Sequence, residues 1–153
     1  MSHNLIKIST NRKAYHDYFI METIEAGIVL KGSEIKSIRA GRVSLSDAYA
    51  RPENGELWLF NCHIAAYNAA SYNSHEPERP RKLLLHRNEI DNIAGKIKQQ
   101  RLTLVPLKLY IKHGVAKLEL GMAKGKRAYD KRESITRREI DRELDRTLKS
   151  RRR

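Results

Sequence analysis

The chain has 153 residues, of which 31 are Lys or Arg and 18 are Asp or Glu, so its formal net charge at pH 7 is +13. The length suits a single folded domain, and the lack of a run of about 20 apolar residues or of a secretory signal predicts a cytoplasmic protein outside the membrane. Cys62 is the only cysteine, which excludes an internal disulfide, and the excess of positive charge favours a polyanionic partner, nucleic acid before a membrane surface.

The first predicted elements are a strand and a short helix. Residues 18–31 are rich in aromatic and β-branched side chains, which predicts a strand with a bulge or bend at Ala26-Gly27. Residues 33–40 predict a short helix with Ser33 as its N-cap.

A hairpin and a long connection come next. Residues 43–51 and 56–64 predict two strands, because they flank Asn54-Gly55, a strong hairpin signal. Residues 65–82 lack an apolar period, which predicts a long connection, and its basic end, rich in Arg and Lys, suggests a contact with a polyanion. Residues 88–100 then predict an amphipathic helix with isoleucines on one face.

The second predicted hairpin covers residues 103–120, where apolar and polar side chains alternate. A two-residue turn at His113-Gly114 places Leu109 opposite Leu118 on the core face.

The opposite face of this hairpin carries lysines and a tyrosine. The same register places Tyr110 opposite Lys117, and Lys108 lies on the same face. Charge combined with an aromatic ring is the surface that nucleic-acid-binding strands use, which makes these three residues candidate RNA contacts. A merely solvated face is the alternative.

Many short strands with two or three short helices and no βαβ alternation predict a mainly β fold, a small closed antiparallel barrel of the oligonucleotide-binding (OB) type. The barrel domain is expected over residues 1–123. A closed barrel has no open edge that demands a partner, which favours a monomer.

Residues 124–153 form a separate basic tail. They hold 13 basic and 6 acidic residues, a net charge of +7, which leaves +6 for the rest of the chain. Too few apolar residues are present to offset the entropy of ordering, so the tail is expected to be disordered alone. Ile140, Leu144 and Leu148 recur every four residues, which predicts a helix that forms against a partner. A solvated charged helix is the alternative.

The sequence supports no catalytic, metal or cofactor site. His16-Asp17 is similar to the His-Asp pair of metal phosphohydrolases, but no second His/Asp group follows at helical spacing. A protein that is not an enzyme is therefore expected.

Five ordered blocks resemble the SsrA-binding protein family, also called small protein B, of bacterial trans-translation, and the likeness runs essentially end to end. The blocks are residues 11–20 (NRKAYHDYFI), 25–42 (EAGIVLKGSEIKSIRAGR), 81–86 (RKLLLH), 103–110 (TLVPLKLY) and 119–132 (ELGMAKGKRAYDKR). The resemblance implies a closed OB-like barrel that binds the tRNA-like domain of transfer-messenger RNA in the place of an anticodon stem. It also implies a tail that enters the vacant mRNA channel of a stalled 70S ribosome.

The resemblance further implies which residues touch RNA. The family's contact positions match His16, Glu25, Leu84 and Lys117, with Lys124 and Lys126 close by. In the tail, the motif used at the decoding centre matches Asp130, Lys131 and Arg132, with Arg137 and Arg138 following. Two alternatives stay open for these positions: Glu25 as a plain surface charge and Leu84 as a core residue. For the whole chain, the alternative is a general RNA-binding barrel acting in ribosome assembly or initiation.

Overall fold

The protein is mainly β, with one large antiparallel sheet and four helices. The computed structural model describes the backbone of residues 5–67, 75–126 and 128–151, and the side chains of the same residues except 128–136 and 150–151. The elements in chain order are β1 (Leu5–Thr10), α1 (Arg12–Asp17), β2 (Tyr18–Ile28), α2 (Gly32–Arg39), β3 (Val43–Ser44), β4 (Tyr49–Glu53), β5 (Glu56–Phe60), β6 (His63–Ile64), β7 (Arg81–Leu84), α3 (Arg87–Gln100), β8 (Thr103–Lys112), β9 (Val115–Gly125) and α4 (Ala128–Arg151).

Seven strands form the main sheet in the order β1-β8-β4-β5-β7-β2-β9, and β3 pairs with β6 separately. All of these pairings are antiparallel. β9, at one end of the order, is also hydrogen-bonded to β8, near the other end. The predicted mainly β class is therefore confirmed, with more helix than expected because α4 alone has 24 residues.

The β8–β9 hairpin has the predicted register. Leu109 lies opposite Leu118, and both are buried, while Tyr110 lies opposite Lys117 on the other face. The turn at His113-Gly114 has φ angles of 51° and 77°, which match the left-handed pair that a two-residue type I′ hairpin turn requires.

The first predicted hairpin is also present, but its strands are shorter. Asn54 and Gly55 have φ angles of 52° and 78° and join β4 to β5. The predicted strands 43–51 and 56–64 are each divided in two. A turn closed by the Ala48 N–H to the Leu45 carbonyl (3.0 Å) separates β3 from β4, and Asn61 with φ 58° separates β5 from β6.

Two local predictions near β2 and α2 are corrected. A bulge at Ala26-Gly27 is wrong, because the register shift of β2 against β9 lies between Ile20 and Glu22; the alternative, a bend at Ala26-Gly27, stays a prediction. Ser33 does not cap α2, because the helix begins one residue earlier, after Lys31, whose N–H donates to the Glu34 carboxylate (2.7 Å). The Ser33 hydroxyl instead pairs with the buried His75 imidazole at 2.9 Å.

Helix α1 was not predicted, and it covers one end of the sheet's outer surface. The Asn11 side chain caps it by accepting from the Ala14 N–H (3.1 Å) and donates to the carbonyls of Leu45 (3.0 Å) and Pro106 (2.9 Å). Ala14 then packs with Leu107 and other residues of β8 and β9 in a small apolar cluster separate from the main core.

A buried ion network fixes the connection that precedes β7. Glu34 and Arg81 are both fully buried; the Arg81 guanidinium donates to the Glu34 carboxylate and to the carbonyls of Cys62 (2.7 Å) and Pro77 (3.0 Å). Arg79 also donates to Glu34. Arg81 is buried and therefore closed to a polyanion, whereas Arg79 is partly exposed, so the suggested contact at this basic end stays a prediction for Arg79.

The remaining helices differ in their packing. α3 buries Ile90 and Ile93 against the core, as the predicted amphipathic pattern requires. Every described side chain of α4, from residue 137 to 149, is exposed. Within the described ranges, no helix has both the length and the apolar character needed to cross a bilayer.

Candidate nucleic-acid interface

The structure brings three of the predicted RNA contacts into one cleft. Gly27 of β2 pairs with Leu84 of β7 on one side and with Lys117 of β9 on the other, and Glu25 lies two residues earlier on β2. These residues line an open cleft of about 360 Å³. The full lining is Glu25, Ala26, Gly27, Leu84, Leu85, His86, Glu89 and Lys117.

Leu84 is a surface residue in this cleft. Its side chain is 51% exposed, whereas Leu83, which points to the opposite face of β7, is 1% exposed and belongs to the core. A Cβ placed on Gly27 would lie 3.1 Å from the Leu84 Cβ, so the glycine leaves the space that Leu84 occupies. The alternative that Leu84 is a core residue is wrong.

Glu25 has neighbours from β8. The Tyr110 hydroxyl donates a hydrogen bond to Glu25 Oε2, and Lys112 Nζ lies 3.8 Å from the same oxygen. Burial, this hydrogen bond and the charges of Glu25 and Glu119 raise the pKa of Tyr110 above its usual range. The hydroxyl therefore stays protonated and remains a donor at physiological pH.

Most of the predicted basic surface of the hairpin is engaged within the protein. Lys108 Nζ lies 3.9 Å from Glu119 Oε2, and Tyr110 and Lys112 are held by Glu25. Among the described residues, no carboxylate lies within ion-pair distance of Lys117. Lys117 is consequently the lysine of this surface for which no described carboxylate competes with a phosphate.

The other predicted contacts of the body lie apart from the cleft. His16, at the end of α1, is not in the cleft lining, and its Nδ1 lies 3.0 Å from Asp17 Oδ1. The Lys126 N–H donates to the Asp17 carbonyl (2.9 Å), and Lys126 Nζ lies 5.2 Å from the centre of the Phe19 ring. Lys124 is the register partner of Phe19. His16, Lys124 and Lys126 therefore form a second group, near the start of the tail.

The His16-Asp17 pair is the part of the sequence that is similar to the His-Asp pair of metal phosphohydrolases. In the portions of the chain with described side chains, no group of three or more His, Cys, Asp or Glu residues is placed to hold a metal ion.

The tail residues divide between described and undescribed side chains. Asp130, Lys131 and Arg132 lie in α4, but their side chains are outside the described residues. Arg137 and Arg138 are exposed. The apolar row of α4 is exposed as well, by 50% at Ile140 and 56% at Leu144 and Leu148.

Two cleft residues were missed from the sequence. His86 immediately precedes α3 and Glu89 lies in its first turn, and both line the cleft. The only available signal was the start of α3. The sequence places the N-cap at Asn88, which is wrong: the N-cap is His86, two residues earlier and directly after Leu84 and Leu85.

Comparison with known proteins identifies the family. The family model described as SmpB protein matches residues 8–150. The SsrA-binding protein of Carboxydothermus hydrogenoformans is 58% identical over 144 residues, which cover 94% of this chain and 97% of the relative. That of Roseiflexus castenholzii is 60% identical over 145 residues, covering 94% and 92%.

A solved structure agrees with these relatives. A chain from the structure described as "tmRNA-SmpB: a journey to the center of the bacterial ribosome" is 51% identical, with a TM-score of 0.68, over 83% of this chain and 93% of its own length. The chain described here therefore belongs to the SmpB family of SsrA-binding proteins.

Proposed function

We propose that this protein binds the tRNA-like domain of transfer-messenger RNA and delivers it to stalled 70S ribosomes for trans-translation. The observation that carries the proposal is the cleft in which Glu25, Leu84 and Lys117 meet, in a chain of the SmpB family. Named relatives are SsrA-binding proteins, and the similar solved chain comes from a tmRNA–SmpB structure. The body would stand where an anticodon arm stands in a tRNA.

The three side chains suit an unstacked nucleotide. The exposed Leu84 offers an apolar surface to a base, as side chains that bind single-stranded RNA do. Glu25 can accept hydrogen bonds from a base amino group or a 2′-hydroxyl, and Lys117 can bind the phosphate. Lys108 and Tyr110 border the cleft on β8, where their engagement with Glu119 and Glu25 makes them supports of the site.

The scaffold of this site is proposed to be a closed, OB-like barrel. The pairing pattern supports closure, because β8-β4-β5-β7-β2-β9 are successive neighbours and β9 pairs again with β8. A closed barrel leaves few open edges for self-association, which supports a monomer. The location that goes with the proposed function, binding to ribosomes, is the cytoplasm. The function proposed for it is binding, with no catalysis, metal or cofactor.

The tail has a separate role in this proposal. Of the predicted tail, residues 124–153, the part after β9 would probe the empty mRNA channel, with Asp130, Lys131 and Arg132 at the decoding centre and Arg137 and Arg138 on channel RNA. The exposure of every described side chain from 137 to 149 supports this division, since none of them is part of the core. An isolated helix of such composition is marginal in water, so its order would come from the ribosome. His16, Lys124 and Lys126 lie at the junction and would contact RNA there.

Lys117 gives a direct test of the cleft. Lys117→Ala should weaken binding of the tRNA-like RNA. The plot of the logarithm of the association constant against the logarithm of the salt concentration should also become less steep, by about 0.7 to 0.9, the change expected for one lost phosphate contact. The measurement is a filter-binding or fluorescence titration at several salt concentrations. Lys98→Ala, which removes an exposed lysine of α3 outside the cleft lining, is the matched control and should leave the slope unchanged. Equal slopes for Lys117→Ala and the unchanged protein would place the RNA on another face.

A further inference from the structure

Two carboxylates face each other beside the cleft. Glu25 on β2 and Glu119 on β9 are direct register partners, and like charges at such positions repel. β8 supplies the groups that offset this repulsion. Lys108 approaches Glu119, while Tyr110 and Lys112 approach Glu25.

The two oxygens of Glu25 have different surroundings. The Tyr110 hydroxyl donates to Oε2, and Lys112 Nζ also lies nearest to Oε2, at 3.8 Å. Among the described residues, no hydrogen bond is made to Oε1. One oxygen is therefore held within the protein, and the other is free to accept from a ligand.

We propose that Tyr110 is a positioning residue, whose hydroxyl holds Oε2 of Glu25 so that Oε1 is fixed at the cleft as the acceptor for an RNA amino group or 2′-hydroxyl. This inference rests on the proposed function of the cleft and assigns the Tyr110 ring no stacking role. Holding an acceptor in place lowers the ordering cost of binding, because an exposed glutamate otherwise loses rotamer freedom when RNA arrives.

The test compares the RNA affinity of variants that lack the Tyr110 hydroxyl, the Glu25 carboxylate or the Tyr110 ring. Tyr110→Phe keeps the ring and removes only the hydroxyl, so the affinity for the tRNA-like RNA should fall about three- to tenfold. Glu25→Gln should lose about tenfold, because its neutral amide is a poorer acceptor than a carboxylate. The double variant should bind within about twofold of Glu25→Gln alone, since the two side chains act as one unit.

Three controls separate positioning by Tyr110 from the loss of a tyrosine hydroxyl elsewhere, from unfolding and from stacking by the ring. Tyr49→Phe removes a tyrosine hydroxyl outside the cleft lining and should leave the affinity unchanged. Thermal unfolding of Tyr110→Phe, followed by circular dichroism, checks that binding is measured on a folded protein. Tyr110→Leu, which also removes the ring, should bind no more weakly than Tyr110→Phe.

The outcomes separate this inference from the proposed function. If Glu25→Gln and Lys117→Ala both bind the tRNA-like RNA as the unchanged protein does, the proposed function of the cleft fails and the role of Tyr110 fails with it. If Glu25→Gln weakens binding but Tyr110→Phe does not, only the positioning role is overturned. A loss in Tyr110→Leu that is absent from Tyr110→Phe would identify stacking by the ring instead.

Discussion

Removal of residues 130–153 should abolish peptide tagging on stalled ribosomes while leaving the affinity for the tRNA-like RNA within a few fold. The cleft residues all lie between 25 and 117, and the contacts of Lys126 with Asp17 and Phe19 remain in the shortened chain. The described side chains removed are all exposed, so the body loses no described core contact. RNA affinity from a titration and tagging in a reconstituted translation system measure the two properties.

A full-length control separates the effect of the tail's positive charge from the effect of its length. Reversing the charge of two exposed tail residues, Arg137→Glu with Arg138→Glu, keeps the chain length and should reduce tagging without weakening RNA binding by the body. Loss of RNA binding in the shortened chain would contradict the division of labour between body and tail.

The largest loss of stability is expected from Arg81→Met. This change leaves the Glu34 carboxylate buried with one arginine fewer and removes the donors to the Cys62 and Pro77 carbonyls. Breaking one side of a buried ion pair costs about 3–5 kcal/mol, a large part of the stability of a small domain. Urea or guanidinium titration of both proteins measures this loss as a difference in the free energy of unfolding.

Lys82→Met is the matched control for this substitution. Lys82 is the next residue on β7 and also pairs with a glutamate, Glu56, at 3.1 Å, but both side chains are more than 40% exposed. An exposed pair contributes about 0–1 kcal/mol, so this variant should unfold close to the unchanged protein. Equal losses in Arg81→Met and Lys82→Met would mean that the buried network contributes nothing beyond a surface pair.

The same network predicts a pH dependence. Burial acts to raise the pKa of Glu34, but hydrogen bonds from Arg79, the Lys31 N–H and Arg81 outweigh it and leave the pKa lowered from 4.5. A lowered pKa in the folded state stabilises the fold above pH 4.5 and loses that contribution as the pH falls through the folded-state value. Glu34→Gln should be less stable at pH 7 and should show a flatter decline of unfolding free energy below pH 4.5.

Local pattern predicted the hairpins well. The alternation around His113-Gly114 and the Asn54-Gly55 turn specify register through short-range geometry, and both turns are present. α1 escaped prediction because it is only six residues long and Asn11 ties it to distant carbonyls of Leu45 and Pro106. Contacts between residues so far apart in the sequence do not produce the periodic apolar pattern from which helices are predicted.

Charge was the least reliable guide to the interface. Lysines and arginines look equivalent in a sequence, yet Arg81 is buried on Glu34, Lys108 pairs with Glu119, and only the fold shows that Lys117 differs from them. The resemblance supplied Glu25, Leu84 and Lys117, and folding explains why they belong together: Gly27 joins β7 and β9 at one point. His86 was missed because its place depends on where α3 begins.

The cleft is proposed to serve one dedicated, tRNA-like RNA. The most direct measurement isolates the tagged protein from cells under native conditions and sequences the RNA that accompanies it, beside a Lys117→Ala variant prepared in the same way. One dominant RNA with a tRNA-like domain, depleted in the variant, is the predicted result. Bulk ribosomal RNA in both samples, with no tRNA-like species enriched, would contradict the claim and favour a general RNA-binding protein of ribosome assembly or initiation.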